Sequence, residues 1–231
     1  MDRQQHWNDV YTKKTERDVS WFETLPEVSL RMLDAAGLNP DSCVVDVGGG
    51  DSRLVDALAE KGLECLAVLD VSGAALERAK GRLGTRAAAV TWIESDVAAT
   101  WSLKPMDIWH DRAVFHFLTE PHDRVTYVGH MRDVLKIGGS AIVATFDVSG
   151  PEKCSGLPVQ RYSAESLAEE LGDGFHLIES LTHLHHTPWG ASQPFRSCRS
   201  LEVVKRTIQV IPGILLQCQL IGGVGLLCSE S

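Results

Sequence analysis

The stretch Val44-Val45-Asp46-Val47-Gly48-Gly49-Gly50-Asp51-Ser52-Arg53-Leu54 constrains the fold of this chain more than any other. An apolar run carrying one acid ends in three successive glycines, and an amphipathic pattern begins directly beyond them. That order reads as a strand, a tight loop and a helix. Glycine has no Cβ and takes positive φ readily, so a ligand can lie against the loop backbone while the helix behind it presents unpaired N–H groups. Such a loop is a cradle for a nucleoside cofactor.

Two cofactor classes use a cradle of this kind, and spacing separates them. A dinucleotide fingerprint reads G-x-G-x-x-G, with the third glycine letting helix pack closely on strand. Here that position is Arg53. An acid two residues before the first glycine, in the run Val45-Asp46-Val47-Gly48-Gly49-Gly50, resembles motif I of the class I S-adenosylmethionine-dependent methyltransferases. The resemblance implies that Asp46 orients the methionine ammonium group and that Gly48, Gly49, Gly50 and Ser52 cradle the cofactor.

Two further acids follow in the same order. Leu66-Ala67-Val68-Leu69-Asp70-Val71-Ser72 is an apolar strand ending in an acid about 20 residues past the loop, where ribose hydroxyls are held. Trp92-Ile93-Glu94-Ser95-Asp96-Val97 closes a third run, and Asp96 resembles the family's acid facing the adenine amino group. The implied cofactor set therefore adds Asp70, Val71, Ser72, Asp96 and Val97. A fourth strand is expected in Pro105–Leu118, and in this family the loop beyond it forms the reaction pocket. Asp111 and Arg112 are expected beside the cofactor, and Asp111 and His116 are the candidate general bases. His116 reads equally as a packed residue on a short helix.

The first 25 residues are polar yet carry His6, Trp7, Tyr11, Trp21 and Phe22 without periodic spacing. The His-Trp-x-x-x-Tyr opening and Val19-Ser20-Trp21-Phe22 resemble the segment that folds over the cofactor in small class I methyltransferases. Trp7, Tyr11 and Trp21 are therefore expected to cover it.

Helices are expected over Glu27–Ala36, stopped by Gly37, over Ser52–Lys61, and from the cap Ser72 to Leu83. Pro121 opens another with Val125, Val128, Met131 and Leu135 along one side. Strand and helix alternate, which predicts a parallel sheet. The resemblance implies a doubly wound α/β fold in three layers, with seven strands in the order 3-2-1-4-5-7-6 and only the seventh antiparallel. It covers a methyltransferase domain over residues 1–195, with residues 196–231 as an atypical tail that puts the seventh strand at risk.

Charge and cysteines bound the function class. With 22 basic and 31 acidic residues the net charge is −9, and no Lys/Arg stripe breaks the pattern, which disfavours nucleic-acid binding. The six cysteines show no C-x-x-C pairing and no apolar leader precedes them, so free thiols in a cytoplasmic protein are expected. Cys154 lies in a loop at the pocket edge, but the other cysteines are not placed to converge on it. His183, His185 and His186 are expected at a solvated strand end, since no acid or cysteine completes a metal set. Residues 208–228 are apolar, yet Pro212, the glutamines and Gly222-Gly223 make a poor membrane span. The expected activity is transfer of a methyl group from S-adenosylmethionine, leaving S-adenosylhomocysteine, to a small-molecule thiol, hydroxyl or amine. A protein lysine is the second acceptor class, and a catalytically silent cofactor-binding protein is the third reading.

Overall fold

In the computed structural model the described residues are 2–202, followed by two short strands, Gln217–Gln219 and Leu227–Ser229, which pair antiparallel. The main sheet is built from β1 (Cys43–Val47), β2 (Cys65–Asp70), β3 (Val90–Glu94), β4 (Met106–Arg112), β5 (Leu135–Phe146), β6 (Phe175–His186) and β7 (Ser192–Glu202). Their order is β3-β2-β1-β4-β5-β7-β6. The first five pair in parallel, and β7 runs antiparallel to both neighbours. This is the expected seven-stranded topology.

Helices α2 (Glu27–Ala35), α3 (Leu54–Glu60) and α4 (Gly73–Leu83) cover one face, and α5 (Pro121–Val134) and α6 (Ala164–Leu171) the other. The strand period of two explains the split, because alternate residues point to opposite faces. Val44 joins Met32, Leu54 and Leu76 in one core, whereas Val45 and Val47 join Met131, Leu167 and Trp109 in the other. Both faces are covered, so the strands read as nearly continuous apolar runs. Ser72 caps α4 as expected, its hydroxyl accepting from the Ala75 N–H at 3.2 Å.

One element was not anticipated, and two expectations change. Residues Arg3–Lys13 form a helix, α1, with Asp2 as its cap, although their apolar residues show no helical period. Its stripe is aromatic and short because it covers a cleft rather than a core. Cys43 and Cys65 are joined as a disulfide, whereas free thiols were expected; they are register partners at the first positions of β1 and β2, with Cα atoms 4.6 Å apart. Cys154 and Cys198 are free and buried. Finally, β7 is present and runs through position 195 to Glu202, so the seventh strand forms. The apolar stretch 208–228 lies outside the residues described with side chains. Among the described residues no helix is long and apolar enough to cross a membrane.

Candidate functional site

The glycine loop packs against the two carboxylates flanking it. Gly48 and Gly50 take φ of +65° and +36°. A Cβ on Gly48 would sit 1.9 Å from the Val114 side chain, and one on Gly50 would sit 2.6 Å from Asp70 Oδ2. Gly49 is equally close to Asp46, 2.5 Å from Oδ2. The loop is therefore glycine because its backbone lies directly on neighbouring side chains.

At the carboxyl ends of β1 to β3 opens a cleft of about 740 Å³, part of it open to solvent. Its floor is Gly48, Leu69, Asp70 and Val71 with Ser95, Asp96 and Val97. Open α/β sheets bind ligands at this place, outside the strand ends where strand order reverses. Asp70 is buried, and burial pushes its carboxyl up to about 7, with the nearby Asp46 charge adding to the effect. The N–H of Ser72 donates to it at 2.8 Å and partly offsets that rise.

Helix α1 forms the roof. Asn8 Oδ1 accepts from the Ser72 hydroxyl at 2.8 Å, tying α1 to α4, while Arg78 donates to the Lys14 carbonyl at 2.6 Å. Arg3 pairs with Asp96 at 3.2 Å and also with Asp123 at the start of α5. From this roof Trp7 meets Trp21 and Phe117 edge to face, with ring centroids 5.7 and 5.1 Å away, and Tyr11 meets Trp21 at 6.2 Å. All four rings line the cleft together with Arg112, Ala113, Val114, Leu118 and Cys154. Ala113 holds φ of +72° where β4 leaves the sheet, a strained conformation at the cleft wall. Burial pushes the Cys154 thiol up to about 11, so it is protonated at neutral pH.

The segment under the roof is held from below. Arg112 donates to the Trp21 carbonyl at 2.6 Å and lies 3.5 Å from Glu23. His185 reaches the same segment, 2.5 Å from the Ser20 carbonyl through Nε2 and 3.2 Å from Glu23 through Nδ1. It is buried, not solvated as expected, because β6 runs beneath residues 20–23. Among the described residues no cluster of His, Cys, Asp and Glu is arranged to hold a metal ion.

Of the residues expected at the cofactor, the cleft gathers Trp7, Tyr11, Trp21, Gly48, Asp70, Val71, Asp96, Val97 and Arg112. Ser52 lies in a smaller adjoining cavity that shares Tyr11, Trp21 and Arg112. Gly49, Gly50 and Ser72 stand behind the floor. Asp46 is buried there too, bonded through Oδ1 to His110 Nδ1 at 2.7 Å, and its Oδ2 has no partner among the described residues.

The two candidate bases do not line the cleft. Asp111 is fully buried and accepts from the N–H groups of Val114 and Phe115 and from the Tyr127 hydroxyl. Burial pushes its carboxyl up to about 6. His116 sits on the helical turn Phe115–Phe117, also fully buried, and its Nδ1 accepts from the Phe146 N–H at 3.3 Å. Burial pushes that ring down to about 3, so it stays neutral. Both residues shape the loop after β4 from inside the core.

Arg3, Phe117 and Cys154 are among the cleft residues that the motifs did not assign. Arg3 belongs to no motif. Phe117 was visible only as one of several apolar residues after Asp111, and Cys154 only as a member of a loop at the pocket edge.

Fold and cleft together define a Rossmann-like α/β protein with its principal cleft at the carboxyl ends of β1 to β3. A family model described as "Methyltransferase domain" matches residues 45–141. EEF1A lysine methyltransferase 2 of Danio rerio is 25% identical over 198 residues, 78% of each chain. A S-adenosylmethionine-dependent methyltransferase of Anabaena variabilis superimposes with a TM-score of 0.68 at 15% identity, covering 87% of this chain and 96% of that one. The 1,6-didemethyltoxoflavin-N1-methyltransferase of Burkholderia thailandensis gives 0.62 at 17%, covering 87% and 84%. Residues 45–141 thus match a methyltransferase domain, and the fold is shared with S-adenosylmethionine-dependent methyltransferases, among them enzymes solved with S-adenosylhomocysteine bound.

The residues present fit such a cofactor. The glycine loop leaves no room for a Cβ beside Asp70, Asp70 itself faces the cleft, and the Oδ2 of buried Asp46, beneath the loop, finds no donor among the described residues.

Proposed function

We propose that this protein is a methyltransferase acting on a small-molecule acceptor. The observation that carries the reading is the continuity of the cleft, from the chain just beyond β1, β2 and β3 to an aromatic chamber roofed by the protein's own α1. When bound, S-adenosylmethionine supplies an electrophilic methyl group on a sulfonium sulfur. Asp70 would accept from the ribose hydroxyls and Asp96 from the adenine amino group, while Asp46, beneath the glycine loop, would act on the ammonium end through water rather than by direct contact. Trp7, Tyr11 and Trp21 cover the cofactor and exclude water, and the chamber wall aligns the acceptor, which is the main demand of an in-line displacement. Neither Asp111 nor His116 is given a proton to carry, since neither lines the cleft.

A protein lysine is the second reading, favoured by the 25% identity to EEF1A lysine methyltransferase 2. Calorimetric titration with S-adenosylhomocysteine and with NADH tests cofactor class, and binding of NADH alone would refute the proposal. Labelled S-adenosylmethionine offered with separate small-molecule and proteome pools then separates the two acceptor classes. Label in protein rather than in small molecules would establish the second reading.

A further inference from the structure

We infer that the acceptor is a planar aromatic molecule bearing an acidic S–H or O–H, bound between the Trp7, Trp21 and Phe117 rings with its ionised atom toward Arg112. The inference rests on the function proposed above and names the acceptor class of that same cleft.

Shape points first. With the floor of β1 to β3 given to the cofactor, the remaining wall is Trp7, Trp21 and Phe117 with Ala113, Val114 and Leu118. Trp7 is the hub, edge to face with both other rings. Aromatic surfaces favour offset-stacked and edge-on partners, and a flat ring has many such contacts to make there at little cost in conformational entropy.

Charge points the same way. The charged groups that line the cleft are Arg3, Arg112, Asp70 and Asp96, with Glu23 behind Arg112. Asp96 is paired with Arg3, Glu23 is held between Arg112 and His185, and Asp70, at the end of β2, lies against the glycine loop. None of these acids stands at the aromatic wall to take a proton, and Tyr11 and Cys154 are both held in their protonated forms by burial. A lysine ammonium would arrive protonated beside the Arg112 cation and find no base. An aromatic thiol or acidic phenol loses its proton to solvent before it enters, and the Arg112 guanidinium then faces an anion.

The transfer balances on those terms. The acceptor's lone pair forms the new bond to the methyl carbon as the carbon–sulfur bond of the sulfonium breaks, and that bond's electron pair stays on sulfur. An anion and a cation give two neutral products.

Thiophenol and cyclohexanethiol, alike in size but unlike in planarity and acidity, provide the test. Calorimetry in the presence of S-adenosylhomocysteine should show thiophenol binding at least tenfold more tightly than cyclohexanethiol. Phe117→Leu should remove most of that preference while S-adenosylhomocysteine affinity stays within twofold, which also reports that the variant is folded. Arg112→Met should weaken thiophenol selectively at pH values where it is ionised. With S-adenosylmethionine present, the methylation rate of thiophenol should follow its own ionisation. Equal binding of the two thiols, or methylation of a lysine peptide by a protein that does not bind thiophenol, would overturn the inference and leave the cofactor assignment standing. Failure to bind S-adenosylhomocysteine would bring down both.

Discussion

The imidazole of His110 bridges β1 and α2, with Nδ1 2.7 Å from Asp46 Oδ1 and Nε2 2.9 Å from the Ser29 hydroxyl. The order Ser, His, acid is that of a hydrolytic relay, but all three side chains are buried and none lines the cleft. The ring instead braces the acid that lies under the glycine loop. His110→Phe leaves a buried carboxylate with no partner, a change that costs about 3 kcal/mol when a buried pair is broken. Urea denaturation should show it as a lower midpoint, with weaker binding of S-adenosylhomocysteine alongside. An unchanged midpoint would mean that Asp46 finds another donor.

Asp70 should make cofactor binding depend on pH. Burial lifts its carboxyl to about 7, so below that value the free protein carries the protonated acid. Ribose hydroxyls donate better to a carboxylate, and binding must then expel the proton. Affinity for S-adenosylhomocysteine should therefore rise with pH, by up to about tenfold per unit below 7, and level off above it. Asp70→Asn should bind weakly and without that slope. For stability the sign is opposite to the common carboxylate case: between the ordinary range near 4 and about 7 the folded state holds the extra proton, so this group's contribution declines as pH rises through that window.

Tyr127 donates to Asp111 at 2.6 Å and accepts from Trp109 Nε1 at 2.8 Å, all inside the core. Tyr127→Phe keeps the ring and removes the hydroxyl, leaving two buried groups short of a partner. The expected loss is about 1–3 kcal/mol of stability, read by thermal or chemical unfolding, with the pH–rate profile unchanged. A displaced pH–rate profile would return Asp111 to the mechanism.

The Cys43–Cys65 bond closes a loop spanning a sequence separation of 22. Cross-linking a loop of that size stabilises a chain by about 3 kcal/mol in the chain-entropy account. Melting with and without reductant measures it, and Cys43→Ala with Cys65→Ala should match the reduced protein. Because both residues stand at the amino ends of their strands, away from the cleft, cofactor affinity should not change.

Arg3 joins the roof helix to Asp96 and Asp123 on two other elements. Arg3→Ala should raise amide hydrogen exchange through Arg3–Lys13 while leaving the β-sheet protected. Added salt should have the same effect on the native protein, since these pairs are partly exposed and therefore screened. Equal protection in the variant would assign the roof's attachment to its other contacts, those of Asn8, Arg78 and the aromatic rings.

What the sequence could disclose follows from which constraints are local. The glycine loop, Asp70 at the end of β2, Asp96 just beyond β3, the cap Ser72 and the helix-opening Pro121 act over a few residues, so their places in the fold were readable in order. Three of the contacts shaping the cleft span 90 residues or more: Arg3 to Asp96, Arg112 to the Trp21 carbonyl, His185 to Ser20. No period or spacing encodes such meetings. Asp111 and His116 show the converse difficulty. Polar residues in a loop expected to form the pocket looked available for chemistry, but whether each side chain turns outward or inward depends on β5 and α5, which supply their partners.

The insertion of β7 between β5 and β6 sets a schedule for synthesis. As the chain leaves the ribosome, β6 emerges with no strand to lie against, because its sheet partner is translated after it. His185 rides on β6, and through it the support beneath Ser20 to Glu23 waits for β7 as well. A nascent chain arrested before β7 should therefore hold the five parallel strands with α1 already tied down, while residues 20–23 still lack the prop that His185 gives them.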